Sequence, residues 1–356
     1  MPWSGEHVFP AAIQTSVLVR VVAVEACVVV VGIALVLGHG LWTGVAEQRD
    51  AARLARGRTA LESILDGGRG LNVLAALPRR LRLEVLLGVA PSLAGAQRLR
   101  LTALADELGI VASAEARCRS RWWWRRLHGV RLCTLLGGGA TAVPPLLDDR
   151  RKEVRAQAAQ WVAHRHDEGL IHRLLRMLDL DKGTTRFAVK DSLVRIGRPV
   201  VGPLAEHLSV RAGPSLAPAL EVALALADPA LLPAALALCA DELPLIRALA
   251  ASVAGAIGGG PAVEAVSLML GDDAAEVRAA AVRALGRAGH WPAAPSLFGL
   301  LSDGSWEVRL QAAVALRTLG TPGMLFLRRA ASSADTDAAD AARLMLDLPD
   351  SALRTL

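Results

Sequence analysis

"DDAAEVRAAAVRALGRAG" occupies Asp272–Gly289, and 31 residues later "DGSWEVRLQAAVALRTLG" runs from Asp303 to Gly320. The two stretches share an aspartate, an arginine six residues after it, an alanine-rich run and a final glycine. Working outward, "DELPLIRALAASVAGAIG" begins at Asp241 and "DDRRKEVRAQAAQWV" at Asp148. Arg155, Arg186, Arg247, Arg278 and Arg309 mark one register, with steps of 31, 61, 31 and 31. The long step holds a divergent copy around "PSLAPALEVALALAD". An aspartate stands six residues before the arginine at Asp149, Asp241, Asp272 and Asp303, whereas the place before Arg186 is Leu180, flanked by Asp179 and Asp181. Self-similarity at this period is the mark of a stacked array.

Each copy reads helix, turn, helix. Val308, Ala312, Ala315 and Leu319 fall on one face at helical spacing, Gly320 or Pro322 stops the helix, and "MLFLRRA" begins the next. One such pair cannot bury its apolar side alone, so neighbours must stack around a shared core. Alanine, leucine, valine and arginine dominate the composition and aromatic residues are scarce, which favours short helices over strands. The expected class is all-α, an α-solenoid preceded by one membrane helix.

The pattern D-x-x-x-x-V-R-x-x-A-x-x-A-L-x-x-L/A-G resembles HEAT repeats, in particular the short HEAT-like repeats of phycobilisome lyases, across about 145–330. The resemblance implies a right-handed solenoid. It also implies a structural ladder between adjacent repeats at Asp149, Arg155, Arg186, Asp241, Arg247, Asp272, Arg278, Asp303 and Arg309, with the displaced copy at Arg186 as the weakest member.

Val17 to Gly38, "VLVRVVAVEACVVVVGIALVLG", holds 14 Val, Leu or Ile residues among 22 and is long enough as a helix to cross a bilayer. Arg20 lies near its start and can snorkel to the interface. A cleaved signal peptide is the competing reading, but "GHGLWTG" offers no A-x-A cleavage site. Arg49, Arg53, Arg56 and Arg58 follow the span and the first sixteen residues carry no Lys or Arg, which puts the C-terminal part in the cytoplasm and the chain in the inner or cytoplasmic membrane. Glu25, near mid-span, either is protonated or pairs locally with Arg20, or else pairs with a polar group on a partner's membrane helix.

"RCRSRWWWRRLHGVR", Arg117 to Arg131, places six arginines and three tryptophans in fifteen residues. Aligning Arg125 with Arg309 sets Trp122 on Trp306 and Trp124 on Val308, so Trp124 is expected to be buried in the first helix of an early repeat. Arg117, Arg119, Arg121, Trp122, Trp123, Arg125 and Arg126, together with Arg20 and Glu25, are the candidate membrane or partner contacts. The stretch can be a solvated repeat face, a binder of anionic lipid, or a nucleic-acid grip. The order along the chain is a short tail at 1–16, the span at 17–38, a connecting helix at 39–66, divergent basic repeats at 67–144 and HEAT-like repeats at 145–348.

Charge supports the membrane over nucleic acid. Residues 43–131 hold 16 arginines against 8 acids, while residues 132–356 hold 23 basic against 24 acidic side chains. No basic stripe follows the array. His164, His166, Asp167, Glu168 and His172 match no metal signature, the glycine runs at 137–139 and 258–260 read as helix caps, and no nucleophile-base pair stands out. Cys27, Cys118, Cys133 and Cys239 show neither a CxxC pair nor a disulfide framework. The expectation is a non-enzymatic adaptor without metal or cofactor, binding a membrane protein. The chain is similar to bacterial membrane-anchored HEAT proteins associated with envelope glycosyltransferases, which implies a polysaccharide synthase as partner. Two alternatives stand beside this: a lyase-type enzyme or tetrapyrrole-handling protein, and a regulator of a membrane enzyme.

Overall fold

Helical periodicity, interrupted by Gly and Pro, decides the secondary structure throughout. The computed structural model describes residues 11–349, and among them no strand occurs. The helices are α1 (Ala11–Leu65), α2 (Leu71–Ala76), α3 (Arg79–Val89), α4 (Gly95–Glu107), α5 (Ile110–Cys118), α6 (Trp123–Leu136) and α7 (Lys152–Val162). They continue as α8 (Glu168–Leu180), α9 (Thr184–Ile196), α10 (Val201–Val210), α11 (Ala217–Leu226), α12 (Leu232–Leu238) and α13 (Pro244–Ile257). The last are α14 (Gly260–Leu268), α15 (Ala275–Arg287), α16 (Ala294–Gly299), α17 (Trp306–Thr318), α18 (Thr321–Ala331) and α19 (Thr336–Asp347). The chain divides into two compact units between Ile110 and Val111, a boundary inside the segment read from sequence as one block at 67–144.

In the first unit α1 is a single helix of 55 residues. The span and the connecting helix expected at 39–66 are thus continuous, and residues 11–16 of the expected tail belong to the same helix; residues 1–10 lie outside the described ones. No proline interrupts 11–65, and isolated glycines within a helix cost only about 1 kcal/mol each. The C-terminal part of α1 packs on α2, α3 and α4 around buried Leu61, Leu65, Leu74, Leu81, Leu86 and Leu101. Arg100 donates from Nη1 to the Leu65 carbonyl at 2.5 Å, satisfying an acceptor that the helix end leaves open.

In the second unit the helices alternate between two layers. One layer is formed by α6, α7, α9, α11, α13, α15, α17 and α19, each packed on the next. The other contains α8, α10, α12 and α14 in sequence, and α16 against α18. The residue before the register arginine points into the core at Val154, Ile246, Val277 and Val308, all fully buried. Small residues let the first-layer helices approach closely. A Cβ on Gly255 would lie 2.3 Å from the Ala284 Cβ, and one on Gly286 would lie 2.8 Å from the Ala315 Cβ. The repeat begun by α6 has no full second helix; the short 3-10 turn Pro144–Asp148 closes it.

Candidate interaction surface

The repeat arginines fork between two repeats. Arg247 donates from Nε and Nη2 to Asp272, both at 2.8 Å, and from Nη1 to the Asp241 carbonyl at 3.0 Å. Arg278 does the same with Asp303 at 2.8 and 2.7 Å and with the Asp272 carbonyl at 2.8 Å. Arg155 reaches the Asp149 carbonyl at 2.9 Å and grips the Asp181 carboxylate through Nε and Nη2. Each aspartate also accepts the backbone N–H two residues on: Arg151 to Asp149, Leu243 to Asp241, Ala274 to Asp272 and Ser305 to Asp303. The arginine forks hold Asp272 and Asp303 below the ordinary carboxylate range. For Asp149 burial works upward, but the hydrogen bonds from Arg126 and the Arg151 N–H prevail and lower it. The displaced aspartate of the Arg186 repeat is therefore Asp181.

The arginine of the α6 repeat is Arg126, one residue past the position the alignment selects. It forks onto Asp149 at 2.6 and 2.8 Å. Arg125 is exposed. The register shift also overturns the expected burial of Trp124, which is 49% exposed, as Trp122 is 42% exposed at the helix N-cap. Trp123 alone turns partly inward. Trp122 and Trp124 stack with centroids 4.6 Å apart, and the Arg121 guanidinium lies 4.9 Å from the Trp122 ring. Arg151, at the start of α7, comes within 5.8 Å of the Trp123 ring. Linear reading of the stretch misses this last cation, because only the stacking of α7 on α6 brings it there. Arg119 and Arg121 are exposed, and Arg117 is half-buried.

On α1 the stretch Val19–Leu37 is long and apolar enough to cross a membrane, and none of it is buried. Arg20 and Glu25 are both exposed on it. Five residues apart, they point about 140° away from each other around the helix, and among the described residues they form no ion pair with each other.

The histidine-rich turn is built differently. Asp167 caps α8 by accepting the Leu170 N–H at 2.8 Å, and His172 Nε2 stands 4.0 Å from Glu168. His166 and His172 share an open cleft of about 780 Å³ with Arg165, Arg173 and Arg176. Among the described residues no group of three or more His, Cys, Asp or Glu is placed to hold a metal ion. Cys118 on α5 and Cys133 on α6 are both buried, and a hydrogen bond between their side chains pushes Cys118 down and Cys133 up from the ordinary thiol range. Burial pushes Cys239 up to about 11.

No curated protein matches the chain. Among solved structures the chain is similar to E. coli YibA at 17% identity and TM-score 0.39, covering 70% of this chain and 96% of that one. It is similar to Kap95p, from a structure with RanGDP, at 13% identity and TM-score 0.48, covering 79% and 45%. Human deoxyhypusine hydroxylase in complex with glycerol gives 16% identity and TM-score 0.29, covering 83% and 96%. Residues 263–347, which run from α14 to the end of α19 and include the Arg278–Asp303 fork, match the family model of HEAT repeats.

Proposed function

We propose that the chain is a membrane-anchored HEAT-repeat adaptor that binds another membrane protein and performs no catalysis of its own. The observation that carries this reading is α1, a helix whose bare apolar stretch runs without a break into a segment packed with α2, α3 and α4. Stacked helix pairs offer long surfaces suited to protein partners. Arg49, Arg53, Arg56 and Arg58, all exposed just after the span, favour a cytoplasmic array in the inner or cytoplasmic membrane. Glu25 gives the span a polar handle for a partner helix, since a carboxyl group facing lipid alone is costly. An envelope glycosyltransferase or polysaccharide synthase is the partner proposed, and the Arg–Trp surface of α6 is proposed as a second contact, with anionic lipid.

The test is purification of the full chain from its native membrane in mild detergent, with mass spectrometry of what remains bound. A stoichiometric membrane protein that is lost in Glu25→Leu, while the helical content stays unchanged, supports the reading. Recovery of the same partner with Glu25→Leu defeats the handle. Extraction of the chain by alkaline carbonate defeats the anchor.

A further inference from the structure

The turn before α6 and the starts of α6 and α7 carry a dense cationic and aromatic surface outside the ladder. Two indoles, Trp122 and Trp124, are stacked and about half exposed. Arg119, Arg121, Arg125 and Arg151 are exposed around them. Residues 117–131 contain no acid, and the two aspartates that precede α7 are already engaged, Asp149 by Arg126 and Asp148 by Arg173 at 2.6 Å. Glu153, exposed in the first turn of α7, is one acid beside four exposed arginines, so the surface keeps a net positive charge.

Paired indoles in water are a cost unless something covers them. Tryptophan is favoured at the headgroup level of a bilayer, where its ring meets hydrocarbon and its N–H meets water, and arginine binds phosphate through a planar fork. Single-stranded nucleic acid would use the same stacking but needs a cationic groove to follow its backbone. Beyond this surface the array holds one arginine-lined cleft, at Arg165, Arg173 and Arg176, but residues 132–356 carry 23 basic against 24 acidic side chains, so no long basic track continues from it. A basic surface on a chain that also carries a bilayer-length apolar helix fits the anionic bilayer better.

We propose that this surface rests on anionic phospholipid, with Trp122 and Trp124 entering the interface and Arg119, Arg121, Arg125 and Arg151 binding lipid phosphates. The proposal rests on the reading of α1 as a membrane anchor. The contact orients the first repeats of the array on the bilayer, so partner binding becomes sensitive to lipid charge. Arg126 is not part of it, because Asp149 already occupies its fork.

The test reconstitutes the full chain in brominated phosphatidylcholine bilayers, with and without phosphatidylglycerol, and reads tryptophan quenching. The Trp122→Phe/Trp124→Phe variant gives the background from the other tryptophans. Quenching of Trp122 and Trp124 should appear only with phosphatidylglycerol and fade in molar salt, where the screening length falls to about 3 Å. Each arginine near an anionic surface contributes about fivefold, so Arg119→Gln/Arg121→Gln/Arg125→Gln should weaken the contact roughly 100-fold and return quenching to the neutral-bilayer level. Arg151→Gln alone should weaken it about fivefold without touching α6. Equal quenching in both bilayers, or none in either, overturns the proposal. So does a single-stranded oligonucleotide that binds the surface more tightly than phosphatidylglycerol vesicles do at the same salt concentration. A chain that resists alkaline carbonate yet shows no lipid-charge dependence defeats this surface and leaves the anchor standing; a chain that washes off defeats the anchor itself.

Discussion

Asp303 joins three groups: it receives the Arg278 fork, accepts the Ser305 N–H at 2.8 Å, and its carbonyl takes Arg309 Nη1 at 2.7 Å. The fork lowers its carboxyl below the ordinary value of 3.8, as the Arg247 fork does for Asp272. A lowered native value means that the unfolded chain binds more protons in acid, so stability rises with pH there. The contribution is complete above about pH 5 and is lost as pH falls through the ordinary value and then the native one. Urea midpoints should therefore fall more steeply below about pH 5 in the unaltered chain than in Asp303→Asn; equal slopes would refute the ladder's part in acid stability. At neutral pH Asp303→Ala should cost about 2 kcal/mol, short of the roughly 3–5 of a fully buried pair, because Arg278 keeps 17% exposure. Most of these residues were legible in the sequence from their period alone. Arg126 was not. The α6 repeat closes through a 3-10 turn instead of a second helix, so its arginine precedes Arg155 by 29 residues, not 31. Counting by the common period therefore lands on Trp124 and misassigns which indole is buried.

Helix pairs in this array are spaced by what their facing positions allow. The Gly255 Cα sits where any Cβ would meet Ala284 at 2.3 Å, closer than real contacts permit, which keeps α13 tight against α15. Gly255→Ala improves helix propensity by about 1 kcal/mol, but overpacking should cost about 1–3 kcal/mol and lower the melting temperature. In an Ala284→Gly background the Cβ–Cβ clash at 2.3 Å is gone and only the backbone Cα at 3.0 Å remains close, so the same substitution should cost markedly less. A double-mutant cycle of thermal melts reads this directly; destabilisation of the same size in both backgrounds would place the cause outside the α13–α15 contact. Sequence showed these glycines and alanines on helices but not their pairing, since which small residues face each other depends on the crossing of neighbours 29 positions apart. The same limit hid Arg151 from the α6 surface, whereas the helices themselves, set by local period and stop signals, were readable one by one.

Among the described residues of the second unit the ladder is interrupted once, at the α11 repeat. Where the pairs Arg247–Asp272 and Arg278–Asp303 are 25 residues apart, the same distance from Arg186 reaches Arg211, a cation that turns instead to Asp179 at 3.6 Å. Arg186 keeps its bond to the Asp181 carbonyl at 2.8 Å and, among the described residues, has no carboxylate. Thirty-one residues beyond Arg186 stands Ala217, too short to reach Asp241. The Lys190–Glu221 pair is what links α9 and α11 by charge among the described residues. Ala227 ends α11 with φ 45°, a left-handed conformation that costs a non-glycine residue about 1–2 kcal/mol. A stacked array fails first at its weakest interface, because each repeat is stabilised only by its neighbours. Hydrogen exchange should thus be fastest, within the second unit's first layer, in α9 and α11 and slowest in α13, α15 and α17. Ala217→Arg supplies a fork for Asp241 at a separation close to that of the native pairs, and Arg211→Asp supplies a carboxylate for Arg186 while giving up the half-exposed Arg211–Asp179 pair. Each restored charge-assisted pair contributes about 1.5 kcal/mol, so each should slow exchange in α11 roughly tenfold and the two together should bring it toward the rate of α13. Uniform exchange across the unaltered array, or an unchanged rate in the double variant, would show that the ladder does not set the stiffness of this molecule.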